Sequence, residues 1–194
     1  MDRRKSETIA INALLCTLII IFTALPIGIG PVRLAVLMLV PVMVAAQTLR
    51  FGSALFAGTF LGIASCVTAF IAPSSPVAFA LQNPLISIVP RMLVGIITYL
   101  IYRGIRACIK NEKLSFSLAS SISSVVGVLT NTGFVSLFIW LFYGKTGLQG
   151  TPIDGIFMET FILANFVVEI IVCTIITPPI SLAVTKVMRR SGGR

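Results

Sequence analysis

The chain contains no histidine and only six acidic residues, Asp2, Glu7, Glu112, Asp154, Glu159 and Glu169, scattered along its length. Without histidine, zinc hydrolysis on imidazole ligands, Ser-His chemistry and the commonest general base are excluded. Lipid enzymes that work through metal-bound phosphates need clustered carboxylates, and these are far apart. The four cysteines, Cys16, Cys66, Cys108 and Cys173, are widely spaced with no CxxC pair. Neither a disulfide framework nor a metal site is expected, and no cofactor.

Charge of either sign is scarce at 11%, whereas 57% of the 194 residues are hydrophobic. A mean hydropathy of +1.04 is far above that of a soluble domain. Such a chain belongs in lipid. A spanning helix takes about 20 mainly apolar residues, so six helices and short connections consume the length and leave one transmembrane domain, residues 1–194. The run after Asp2-Arg3-Arg4-Lys5 resembles a signal peptide, but Leu25-Pro26-Ile27-Gly28 follows it instead of a small-x-small cleavage site. It reads as a retained helix.

Gly, Pro and charge divide the sequence into apolar runs at about 9–25, 33–49, 53–71, 85–102, 116–143 and 156–187. The fold class is therefore all-α, an integral bundle of six transmembrane helices. The net charge of +9 invites a nucleic-acid reading, but the basic residues gather at helix ends, not on one water-facing surface. With the N terminus inside, Arg3, Arg4, Lys5, Arg50, Arg103, Arg106, Lys110, Lys113, Lys186, Arg189, Arg190 and Arg194 are all cytoplasmic, leaving Arg33 and Lys145 outside. Five or seven crossings would break that segregation, so both termini are predicted to be cytoplasmic.

Arg91 is the one cation left inside an apolar run. An arginine at a helix centre costs about 2.5–3.5 kcal/mol on insertion scales and usually faces the bundle interior. Pro90 beside it frees the carbonyl of residue 86 for another partner. Asn131, within Thr130-Asn131-Thr132, and Asn165 are predicted at comparable depth. One arginine and two amides suit a small solute bearing an anionic group together with hydroxyls or amides. The competing reading pairs Arg91 with Glu169 and uses the amides as glue between helices. Gln82 and Asn83 could complete the site from a loop, or serve as helix caps. That loop, 72–84, carries Val77 to Leu81 in an apolar row and should fold over the bundle, as a lid or a packed connector. Ala54, Gly58 and Gly62, four apart, would allow a close helix contact, and Pro178-Pro179 should kink the last helix.

Gly144-Lys145-Thr146 echoes the end of a P-loop, but Ile139 stands where its first glycine should be. Any ATP-driven motor must lie on another chain. Taken in order, Leu25-Pro-Ile-Gly-Ile-Gly-Pro31, Gln82-Asn-Pro84, Pro90-Arg91 and Leu129-Thr-Asn-Thr132 resemble the substrate-binding S component of energy-coupling factor (ECF) vitamin transporters, over residues 9–185. The resemblance implies a bacterial plasma-membrane protein that binds one vitamin at its outer side, docks on a transmembrane coupling subunit and two ATPases, and topples to release its cargo. It implies a pocket including Arg91, Asn131 and Asn165, with Gln82 and Asn83 from the loop. The Ala-x-x-x-Ala docking patch of many S components is absent from the first helix, where Ser6 with Ala10 and Ala13 with Thr17 are the nearest spacings. The pattern looks most like pantothenate-specific members, since a carboxylate, an amide and two hydroxyls suit one arginine and several amides. Folate would need stacking on Phe79, Phe134, Phe138 or Phe161; riboflavin, cobalamin and a lipid-directed membrane enzyme are further alternatives.

Overall fold

A computed structural model describes residues 3–24, 28–29, 32–33, 37–73, 76–147 and 155–191, without the side chains of 3–5, 28–29, 32–33, 76, 155–165 and 189–191. In lipid every backbone N–H and C=O must be satisfied within the protein, which leaves helices as the answer for long apolar runs. The helices are α1 (Arg3–Ala24), α2 (Leu39–Thr48), α3 (Phe51–Ile71), α4 (Pro76–Ala80), α5 (Pro84–Cys108), α6 (Glu112–Tyr143) and α7 (Gly155–Ser191). Five of the described helices, α1, α3, α5, α6 and α7, contain apolar stretches long enough to cross a membrane. All five fall on predicted runs.

The second run differs. Helix α2 begins only at Leu39, because Val32–Arg33 (β2) pairs with Gly28–Ile29 (β1) in a small antiparallel ribbon, in the register Gly28 with Arg33 and Ile29 with Val32. Arg33, expected at the start of a helix, lies in that ribbon. Ten residues rise only about 15 Å, half a bilayer, but α2 is not a lipid-facing span. Leu39 to Gln47 are buried in unbroken sequence, as expected of a helix apolar on every face. It is the central post of the bundle, with Val42, Met43 and Val44 in a core that α1, α3, α5, α6 and α7 also enter. Pro41 is tolerated because the first helical turn has no use for its missing N–H.

Helix α3 lies against α5 through small residues. A Cβ placed on Gly58 would run into the backbone oxygen of Arg91, one on Gly62 would come within 2.5 Å of Ile88 Cα, and one on Gly95 would strike the Ala54 carbonyl. The Ala54-Gly58-Gly62 spacing thus finds its partner in α5, and Ser87 Oγ donates to Gly62 O at 3.0 Å across the same contact.

Arg50, Arg103, Arg106, Lys110 and Lys113 gather at one end, around the α2–α3 and α5–α6 connections. Arg103, near the end of α5, donates to Leu49 O at 3.3 Å in the α2–α3 turn and lies over the Tyr99 ring, 5.3 Å from its centroid. Helix α6 starts just beyond α5, with Asn111 accepting from Leu114 N at 3.3 Å as its cap. At the opposite end Ala80 is fully buried, and Val77, Phe79 and Leu81 pack with Ile86, Val135 and Ile139. Gly144-Lys145-Thr146 is the turn after α6, finished by Gly147 at φ 69°. The helical trace of α7 runs through Pro178-Pro179.

Candidate functional site

Seven residues into α5, about 10 Å below its outer end by helical rise, Arg91 is 5% exposed. Pro90 has no N–H, so the Ile86 carbonyl lacks its helical donor. Arg91 Nη1 donates to that oxygen at 3.0 Å. The guanidinium therefore folds back toward the outer end, the direction in which helical side chains lean.

The counter-charge is Glu169 on α7, 7% exposed. The two groups are within electrostatic reach of each other, but make no ion pair at 4.0 Å or less. The carboxylate is instead held by α6. Thr132 Oγ1 donates to Glu169 Oε2 at 3.1 Å, and the Asn131 side chain lies near the same carboxylate. Asn131 is 9% exposed, and its Oδ1 has no hydrogen-bond partner among the described residues. One turn nearer the outer end, Ser136 Oγ is buried and likewise without a partner among them.

Among the described residues, three helices thus contribute a cation with spare donors, an amide with a spare acceptor and a carboxylate held by Thr132. A cleft of about 260 Å³ between α6 and α7 is lined by Leu129, Thr132, Gly133 and Phe166, and of this cluster only Thr132 lines it. A buried guanidinium beside uncommitted amide atoms can bind a small anion bearing neutral donors. No group of metal-binding side chains occurs among the described residues.

Of the predicted site residues, Arg91 and Asn131 meet around Glu169. The loop amides are engaged elsewhere. Asn83 caps α5 by accepting from Leu85 N at 3.1 Å, with Pro84 in the first turn. Gln82 Nε2 donates to Ala69 O at 3.1 Å, and Gln82 O accepts from Cys66 Sγ at 3.6 Å, so this residue latches the loop to the end of α3. Asn165 falls within α7, but its side chain lies outside the described residues. Phe79 and Phe138 are packed in the outer apolar cluster, and Phe134 meets Phe138 edge-on at 6.3 Å; the Phe161 side chain is not described. Sequence reasoning treated Glu169 only as an ion partner for Arg91. Its bond to Thr132, 37 positions away, follows from the rotation of α6 against α7, which no local pattern encodes.

The sequence matches the family described as "ECF transporter, substrate-specific component" over residues 7–181. It is also 28% identical over 209 aligned residues to the pantothenic acid transporter PanT of Lactococcus lactis subsp. cremoris (strain MG1363), covering 98% of this chain and 100% of that protein.

Proposed function

Since the chain belongs to the substrate-specific components of ECF transporters, we propose that its cargo is pantothenate, captured from outside by Arg91 and Asn131 and delivered to partner subunits for ATP-driven uptake. Membership makes it a transport subunit, not an enzyme, working with an ECF module. The observation that carries the cargo reading is a guanidinium buried in the membrane whose one hydrogen bond among the described residues goes to a backbone carbonyl. Its remaining donors suit the pantothenate carboxylate. The spare acceptor on Asn131 suits that vitamin's hydroxyl or amide hydrogen. Full-length similarity to a protein named as a pantothenic acid transporter supports the same reading.

The partners in this proposal are a transmembrane coupling subunit and two ATPases, in a bacterial plasma membrane with both termini cytoplasmic. The exposed side chains of Ile9, Leu14 and Ile20 on α1 leave that helix free to take part in docking without an Ala-x-x-x-Ala patch. Helix α4 and its flanks cover the outer end as a lid.

The test is binding of purified protein to a vitamin panel by calorimetry and thermal shift. A ligand that binds only the folded state at a hundredfold excess over Kd adds about 2.7 kcal/mol of stability. Arg91→Ala removes charge-assisted bonds of about 1.5–3 kcal/mol, so affinity for pantothenate should fall about 10- to 150-fold. Arg103→Ala, at the basic end, is the control. Equal effects of the two would remove Arg91 from the site, and stabilisation by folate or riboflavin alone would replace the cargo.

A further inference from the structure

The seam between α3 and α5 runs down to a cluster at the basic end that plays no part in holding the vitamin. Gly62 faces Ser87 and Ile88, Gly58 faces Arg91 and Met92, and Ala54 faces Gly95. One turn further on, small residues give way to rings, and Phe51 meets Tyr99 edge-on with centroids 5.5 Å apart. The Arg103 guanidinium lies 5.3 Å from the Tyr99 centroid, and its Nη2 donates to Leu49 O at 3.3 Å. That bond places it one residue from Arg50, which is exposed.

The depth of this corner follows from the backbone. Irregular backbone exposed to lipid does not occur within the hydrocarbon layer, so the α2–α3 turn at Arg50 belongs at headgroup level. Arg103 reaches that turn, while α5 continues to Cys108, about 7.5 Å further by helical rise. Phe51 is 43% exposed, so an apolar ring borders the cations on the side of the acyl chains. Arg91 lies about 18 Å away along α5, which keeps this corner apart from the vitamin site.

Cations that only set the direction of insertion need no fixed geometry, and a snorkelling side chain simply extends into water. Arg103 is instead held between a ring and a carbonyl, with further N–H donors to offer. Its ordering entropy is already lost before any ligand arrives. Gly52 and Gly104, the sequence neighbours of Phe51 and Arg103, would meet nothing within 4 Å of an added Cβ, so no bulk stands beside either residue. Arg106 Nη1 is committed to Glu112 O at 2.9 Å, which leaves Arg50 and Arg103 as the arginines at this corner. The described acids at this end, Glu7 and Glu112, each have an interaction of their own.

We propose that this corner is a binding site for an anionic phospholipid: Arg103 and Arg50 take its phosphate, and Phe51 borders the start of an acyl chain. A guanidinium offers paired N–H donors that match two phosphate oxygens. A choline headgroup carries its own cation into the same patch, so phosphatidylglycerol is preferred to phosphatidylcholine.

The test uses the full chain in mild detergent, titrated with dioctanoyl phosphatidylglycerol, dioctanoyl phosphatidylcholine or inorganic phosphate, with retained ligand read by native mass spectrometry. Wild type should hold phosphatidylglycerol about tenfold more tightly than phosphatidylcholine, the worth of one charge-assisted bond, and Arg103→Gln should erase that preference. Arg103→Lys keeps the charge without the fork and should bind at least about threefold more weakly than wild type. Because Arg103→Gln also loses the bond to Leu49 O, Arg50→Gln, a change at an exposed side chain, is the second variant. It should weaken phosphatidylglycerol at least about threefold with an unchanged melting temperature in detergent alone. Lys113→Gln, in the exposed first turn of α6, should stay within about twofold of wild type. The site is overturned if Lys113→Gln costs as much as Arg103→Gln, since the cations then act as a diffuse field. It is also overturned if Arg103→Lys binds like wild type, if wild type shows no preference between the lipids, or if inorganic phosphate displaces the lipid at equal concentration.

Discussion

Gly58 packs against the backbone of Arg91, on which the proposed site depends, which makes Gly58→Ala the most exposed test of how Arg91 is placed. The added Cβ would meet the Arg91 carbonyl oxygen and come within 3.1 Å of Met92 Cα and 3.2 Å of Arg91 C. All three are backbone atoms, so no side chain can rotate away. Ordinary contact is about 3.5–4.0 Å between carbons, and α5 must retreat from α3 by about 1 Å to restore it. Overpacking of this kind costs about 1–3 kcal/mol, partly offset by about 1 kcal/mol from replacing a helical glycine by alanine. Gly52, six residues earlier on the same helix, has nothing within 4 Å of such a Cβ. Gly52→Ala therefore collects the propensity gain without the clash, and the two variants should differ by about 1–3 kcal/mol in stability. Because the displaced atoms belong to Arg91 itself, Gly58→Ala should also weaken pantothenate about tenfold, or about 1.4 kcal/mol. Thermal unfolding in detergent and calorimetric titration read the two effects separately. If Gly58→Ala melts no lower than Gly52→Ala and binds within about twofold of wild type, the α3–α5 contact does not set the position of Arg91.

Two further outcomes are expected. Cys108 is exposed at the basic end of α5 and Cys173 is buried, so a membrane-impermeant maleimide should label Cys108 in inverted vesicles but not in intact cells, and Cys173 only after denaturation; labelling of Cys108 from outside would reverse the orientation. Asn83→Ala removes the α5 cap and should cost about 1 kcal/mol of stability, whereas a collapse of binding at full stability would return this loop amide to the site.

What was legible in the sequence follows from what depends on local pattern alone. Five spans could be read because long apolar runs broken by charge have one solution in lipid. The outset of α2 could not, since the residues before Leu39 are apolar whether they pair as a ribbon or coil as a helix. Arg91 stood out by contrast with its neighbours, and the Ile86 carbonyl freed by Pro90 became its partner because both lie within one turn. The glycine spacing on α3 announced a close contact but not the helix that fills it. Gln82 and Asn83 could be read as caps or as ligands from their type, and only the fold shows Ala69 O and Leu85 N as their partners. Glu169 was visible as a charge, but the choice between Arg91 and α6 as its partner is set by helix rotation, a tertiary quantity.

Two buried amides at opposite levels of the bundle set a stabilising role against the binding role proposed for Asn131. Gln47, 3% exposed on α2, is fully engaged: Ser120 Oγ and Ser181 Oγ each donate to its Oε1 at 2.7 Å, and its Nε2 donates to Ser123 Oγ at 3.1 Å, Ser124 Oγ at 3.2 Å and Ser120 O at 3.2 Å. It ties α2, α6 and α7 together with nothing left for a ligand. Among the described residues, the oxygen of Asn131 has no partner. Replacing Gln47 by leucine strips acceptors from two buried hydroxyls at about 1–3 kcal/mol, and should lower the melting temperature while pantothenate affinity stays within about twofold. Replacing Asn131 by leucine removes an acceptor that has no partner among the described residues, so its stability change should be under about 1 kcal/mol, yet binding should fall about tenfold or more. The pattern is a crossing one, measurable by unfolding and titration on the same two proteins. If Asn131→Leu destabilises more than Gln47→Leu and still binds, the asparagine is helix glue and the site must be sought away from α6.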